Sequence, residues 1–158
     1  MRCFLLIFFL ILSGKTSSSN EFTQTPLSEY IENSSQDEES LTENLIYEST
    51  RCSALFAWIA SISANLNSEK AKKLEKKSLY NAKSLSGVAL QTYLSKTENP
   101  SDLSDVNLKI NDLIEKKIMN YQSDGHTIKN LEGSYIKDYI KDDLKICNIM
   151  IEAYKVTY

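Results

Sequence analysis

The segment RCSALFAWIASISANL, residues 51–66, decides the fold. It carries no charge after Arg51, and it contains Cys52 and Trp58, the only tryptophan of the chain. Its composition raises three alternatives: a membrane span, the lining of a site, or a buried core helix. Several Ser and Asn side chains interrupt it, and a bilayer penalises such groups, whereas a helical bundle turns them outward or bonds them back to the helix. We therefore expect a core helix.

The bulk composition suits one helical domain. The chain has 158 residues, of which 42% are hydrophobic and 25% are charged, as in a globular protein with a single core. Its four Gly and two Pro leave little turn chemistry for many strands. We predict an all-α domain over residues 40–158.

Apolar residues recur at three- and four-residue steps, which is the spacing of one helix face. The first such series runs from Leu45 to Leu66 and follows a capping-box pattern at residues 40–43. In the second helix the predicted apolar stripe is Ala71, Leu74, Ala82, Leu85 and Ala89. The turn at residues 123–126 separates the last two helices. The sequence predicts a four-helix up-down-up-down bundle with helices at roughly 41–66, 69–95, 100–121 and 134–156.

The N-terminus has the layout of a secretory signal peptide. Met1 and Arg2 provide a positive end, the apolar run 3–13 follows, and residues 16–19 are rich in Ser. The alternative is an N-terminal membrane anchor, but the run is shorter than the roughly twenty residues that a span needs. We expect removal of residues 1–19 and export, to the periplasm of a double-membraned bacterium or otherwise by secretion.

Loss of the signal peptide leaves two cysteines, Cys52 and Cys147. An even number of cysteines in an exported chain predicts one disulfide, and the alternative is a pair of buried thiols. A disulfide holds the two Cα atoms within about 4.4–6.8 Å. It therefore predicts that the first and fourth predicted helices are antiparallel neighbours joined near their middles.

The charge is unevenly distributed along the chain. Residues 20–50 contain eight acidic side chains and no Lys or Arg. Within them, residues 20–39 lack the apolar surface needed to offset the entropy of ordering, so we predict a flexible acidic arm. The alternative is that this arm covers a basic face of the domain.

The residues that usually perform catalysis are scarce. His126 is the only histidine and stands near Asp124 in the predicted turn. No nucleophile, phosphate-loop or zinc motif accompanies it, and the two cysteines do not form a C-x-x-C pair. We therefore predict no catalytic residue, metal or cofactor. Candidate site residues are Asp124, His126 and Trp58, which is either a core flank or a partly exposed anchor. An envelope hydrolase that uses a carboxylate pair stays an alternative.

A lysine-rich side of the second helix is the clearest candidate for an interaction face. An exported chain with net charge −3 is not expected to bind nucleic acid. We predict a non-catalytic binding protein that acts on another protein, of the inhibitor, immunity or chaperone type. Binding to an anionic membrane surface is the alternative. The predicted face consists of Lys70, Lys72, Lys73, Lys76, Lys77 and Lys83.

Overall fold

The described part of the protein is entirely helical. A computed structural model describes residues 25–35, 37–97, 103–132 and 136–154, except for the side chains of 127–132. Within these ranges there is no strand, which confirms the all-α prediction. The helices are α1 (Leu27–Asn33), α2 (Glu38–Ala64), α3 (Glu69–Lys96), α4 (Leu103–Glu132) and α5 (Asp138–Tyr154).

Helix α2 is the centre of the core. Its N-cap is Asp37, whose carboxylate accepts a hydrogen bond from the backbone N–H of Ser40 at 2.9 Å. The cap therefore lies one turn before the predicted capping box. The eight consecutive residues 49–56 are all buried, so neighbours enclose the helix on every side at this level. None of the described helices has the length and apolar content that crossing a membrane requires.

Helices α2 and α3 form a hairpin through residues 65–68, and this is the largest helix–helix interface of the described residues. The Ser53 hydroxyl donates a hydrogen bond across it to the carbonyl oxygen of Ala82 at 2.8 Å. So close an approach of two backbones favours small side chains, and Ala71, Ala82 and Ala89 of α3 are all buried. Leu74, which the sequence pattern placed on the buried stripe, is instead 47% exposed.

Helix α4 is longer than the sequence predicted. The expected end near residue 121 and the turn at 123–126 are wrong, because the helix continues to Glu132. Gly125 is the residue that had suggested a turn. A Cβ atom at this position would lie 2.5 Å from Cζ2 of Trp58, so the glycine serves a close helix–helix contact and not a turn.

Helix α5 is joined to α2 by the disulfide between Cys52 and Cys147. The predicted pairing is confirmed, with a Cα–Cα distance of 5.2 Å and a sequence separation of 95 residues. Helix α5 begins at Asp138 and not near residue 134 as predicted. It also contacts α1 and α3.

The acidic N-terminal segment contains an unexpected helix. The prediction of a flexible arm is wrong for residues 27–33, which form α1 and pack against α5. The Leu27 side chain is fully buried in the core. This part of the arm therefore gains enough apolar contact to become ordered. The predicted signal peptide, residues 1–19, and residues 20–24 lie outside the described residues.

Candidate functional site

A buried ion pair joins α2 to α5. Arg51 and Asp143 are both fully buried, and Nη2 of Arg51 lies 2.8 Å from Oδ2 of Asp143. Nη2 also donates to Oδ1 at 2.9 Å, and Nε donates to Oδ2 at 2.9 Å. Arg51 directly precedes Cys52, and Asp143 lies one turn before Cys147. The ion pair and the disulfide therefore hold the two helices together at the same level.

Other polar groups complete this network. The Tyr121 hydroxyl donates a hydrogen bond to Oδ2 of Asp143 and lies 3.4 Å from Nε of Arg51. Nη1 of Arg51 donates to the Tyr47 hydroxyl at 3.2 Å, and Nη2 donates to the carbonyl oxygen of Thr25 at 2.7 Å. Across the described residues, every buried side-chain nitrogen or oxygen has a hydrogen-bond partner. The network is thus a satisfied structural connection between α2, α4, α5 and the segment that precedes α1.

Burial governs the ionisation of these groups. It raises the pKa of the Asp143 carboxyl above its usual value, although Arg51 and Tyr121 act in the opposite direction. Burial also raises the pKa of Tyr121 well above its usual value, and the negative charge of Asp143 adds to this. Burial therefore opposes the ionised form of this carboxyl, and the hydrogen bonds from Arg51 and Tyr121 favour it.

Two of the three candidate residues named from the sequence share a cleft. Trp58 and His126 both line a volume of about 390 Å³ between α2 and α4. Trp58 is only 3% exposed and stacks on Tyr121 with ring centroids 5.9 Å apart, so it is a core residue. His126 is exposed. The other lining residues are Ser61, Ile62, Asn65, Leu66 and Gln122.

The third candidate has a different neighbour. The Asp124 carboxylate accepts a hydrogen bond from the Tyr139 hydroxyl at 2.8 Å, which ties α4 to α5. This bond, after the larger effect of burial, raises the pKa of Tyr139. Among the described residues, no cluster of three or more His, Cys, Asp or Glu side chains could hold a metal ion.

The lysine face lies on the first half of α3. We use this name for Lys70, Lys72, Lys73, Lys76, Lys77 and Lys83, all of which are exposed. At about 100° per residue these side chains span an arc of roughly 160°, and Tyr80 projects from its middle. Tyr80 is 62% exposed, and the nearby Leu74 and Leu79 are 47% and 43% exposed. The face therefore combines positive charge with exposed apolar groups.

Acidic side chains occupy the other end of the molecule. The start of α3 follows the end of α2 in the hairpin, and α2, with 27 residues, is about 40 Å long. Glu43 near the start of α2 pairs with Lys96 at the end of α3 at 3.2 Å. The exposed residues of this acidic end are Glu29, Glu32, Asp37, Glu38, Glu39 and Glu43. The two charged regions thus lie at opposite ends of the hairpin.

Sequence reasoning missed the buried ion pair, although a signal was present. Arg51 is the only basic residue between positions 20 and 69, and it directly precedes a core cysteine. Asp143 stands between Ile140 and Cys147 at helical spacing, on the apolar side of α5. A basic residue beside one cysteine of a predicted disulfide and an acidic residue one turn from the other indicate an ion pair.

Comparison with known proteins finds no matching family model, no matching curated protein and no matching solved structure. The described residues form an all-α fold with a disulfide between Cys52 and Cys147 and a cationic face on α3.

Proposed function

We propose that this protein is an exported, non-catalytic binding protein that recognises an acidic surface on another protein through the lysine face. The observation that carries the proposal is the 62% exposure of Tyr80 in the middle of six exposed lysines. Tyrosine is enriched in protein interfaces and among the residues that dominate binding energy, typically inside a polar rim. Inhibitor-, immunity- and chaperone-type proteins are the classes that fit such a role.

The scaffold supports this role because α3, which carries the face, packs along α2, and the disulfide joins α2 to α5. We propose that α2, α3, α4 and α5 form an up-down-up-down bundle, with α1 as a short addition. The hairpin connection at 65–68 and the contact of Lys96 with Glu43 support antiparallel α2 and α3. A preformed surface loses less conformational entropy on binding. The disulfide supports export, since such bonds persist in oxidising compartments.

The lysine face and the acidic end give the molecule an uneven charge distribution. Its net charge is −3, so an acidic partner is repelled on average but attracted locally by the lysine face. Such local fields steer association and make it sensitive to ionic strength. Binding through this face is therefore expected to weaken as salt is raised from about 50 mM to about 300 mM.

Photo-crosslinking tests the proposal. A photoreactive residue at position 79, at the edge of the lysine face, is expected to capture a protein from the native secreted or envelope fraction. The purified partner should bind the wild-type chain, and Lys73→Glu with Lys76→Glu should lower its affinity at least about tenfold. The matched control is Lys137→Glu with Lys145→Glu. Lys137 directly precedes α5 and Lys145 lies within it, and both side chains are also exposed. Equal binding by wild type and both variants would contradict the proposal.

Anionic membrane surfaces are a second candidate. The specific observation is that Leu74, Leu79 and Tyr80 are exposed beside the lysines, so apolar groups can reach the headgroup level while lysines contact anionic lipids. This candidate predicts co-sedimentation with anionic vesicles, but not zwitterionic ones, at low ionic strength. Absence of co-sedimentation with anionic vesicles removes it.

A further inference from the structure

Helix α1 depends on another helix for its capping. It has seven residues, and its N-cap residue Pro26 makes no side-chain capping bond. Helices this short are not stable alone in water. The backbone N–H of Leu27 donates to Oδ1 of Asp143 at 2.8 Å, and that of Ser28 donates to Oδ2 of Asp142 at 3.0 Å. Two carboxylates of α5 thus provide the acceptors that an N-cap side chain normally provides.

The remaining contacts bind the same short segment, residues 25–30. Arg51 donates to the carbonyl oxygen of Thr25 at 2.7 Å, and the Leu27 side chain is fully buried. The Tyr30 ring lies against the Tyr47 ring with centroids 4.1 Å apart. Main-chain groups are therefore recognised by charged side chains, and one leucine fills an apolar position. A short helix that buries an apolar side chain between two other helices is similar to the helix-in-groove mode of peptide recognition.

We propose that the groove formed by α2 and α5 around Arg51, Asp142 and Asp143 is a peptide-binding site, which α1 occupies as an intramolecular ligand. Its ligand class is a peptide that begins a helix with the sequence Pro-Leu-Ser. The source of such a peptide in trans is the same segment of a second copy of this chain. The site is separate from the lysine face and does not depend on the function proposed for it.

The chemistry explains why the groove requires a peptide. Arg51 and Asp143 are fully buried, and each uses part of its hydrogen-bonding capacity on the main chain of residues 25–27. An empty groove would exchange these hydrogen bonds for bonds to water and would expose the apolar surface that the Leu27 side chain covers, which is costly. A peptide that offers the same carbonyl oxygen and N–H groups satisfies the charged groups equally well. Exchange of one such segment for another is therefore favoured over vacancy.

A cleavable form of the full chain tests the proposal. A protease recognition sequence is inserted between Ser34 and Asp37 of the oxidised protein, and the folded chain is then cut there. A fluorescent synthetic peptide of residues 20–35 is added, and its polarisation is measured. We expect saturable binding of one peptide per protein as the original segment exchanges out.

Sequence variants establish specificity. A peptide with Leu27→Ala is expected to bind about 10- to 100-fold more weakly, because the buried side chain is truncated. A peptide with Glu32→Gln, an exposed position, is the matched control and should bind within about twofold of the original. In the protein, Asp142→Asn should weaken peptide binding about tenfold, since a charge-assisted hydrogen bond becomes a neutral one.

Three results would overturn the proposal. The first is binding that does not saturate, and the second is equal binding of the Leu27→Ala peptide. The third is loss of the helical circular dichroism signal of the protein on cutting alone, which would make α1 an indispensable part of the core and not an exchangeable ligand.

Discussion

At the scale of single residues, removal of one partner of the Arg51–Asp143 ion pair is expected to cost more stability than replacement of both partners. Removal of one partner by Asp143→Ala leaves a buried, unpaired guanidinium, so we expect a loss of about 3–5 kcal/mol in the free energy of unfolding. Arg51→Met together with Asp143→Leu should cost less than Asp143→Ala alone, because no charge then stays buried. Urea unfolding of both variants measures this. A double variant less stable than the single one would contradict the account.

Lys117 provides a pH-dependent prediction at the same scale. Burial, then the charges of Arg51 and Lys116, lowers its pKa to about 8. Between this value and about 10 the unfolded chain binds more protons than the folded one, so stability should rise with pH. Above about 10 it should fall, because buried Tyr121 keeps a proton that the unfolded chain loses.

The measurement for Lys117 is the urea midpoint across this pH range. Lys117→Met is expected to abolish the rise that begins near the folded pKa of about 8, because the group responsible for it no longer titrates. Lys145→Met, at an exposed position of α5, is the control and should leave the rise intact. A rise that persists in Lys117→Met would assign it to another group.

At the scale of helices, two glycines allow a matched test. A Cβ atom added at Gly87, within α3, would have nothing within 4 Å, whereas one added at Gly125 would lie 2.5 Å from Trp58. Gly87→Ala should stabilise by about 0.5–1 kcal/mol through helix propensity. Gly125→Ala should destabilise by about 1–3 kcal/mol because the packed indole must move. Urea midpoints and Trp58 fluorescence check both, and shifts of the same sign would contradict the interpretation of α4.

At the scale of the whole molecule, the disulfide closes a loop across the domain. With the cysteines 95 residues apart, the chain-entropy model gives about 4–5 kcal/mol of stabilisation. Reduction should therefore lower the urea midpoint strongly. Cys52→Ser should lower it further, because a hydroxyl and an unpaired thiol then share a dry site. Equal midpoints for the oxidised, reduced and Cys52→Ser proteins would show that the disulfide does not stabilise the fold.

Sequence reasoning was accurate where the cause lies in neighbouring residues or in a simple count of residues. Apolar spacing predicted helices, and cysteine counting predicted the pair Cys52–Cys147. It failed at α1, whose capping groups lie 114 and 116 residues away in the chain. It also failed at Gly125, where a residue typical of turns serves a close contact with Trp58. It placed six lysines on one side of α3, all of which are exposed, but it did not single out the exposed Tyr80 among them, because only the folded chain shows which side chains stay exposed.

The sequence by itself determined the all-α class, the disulfide partners and the core position of Cys52, Leu55 and Phe56. These follow from periodicity, composition and the number of cysteines, which are properties of neighbouring residues or simple counts. Only the tertiary structure decided that Arg51 pairs with Asp143, that α1 docks on this pair, and that Trp58 packs on Gly125. The physical reason is that such contacts depend on which helix faces meet and how closely the backbones approach.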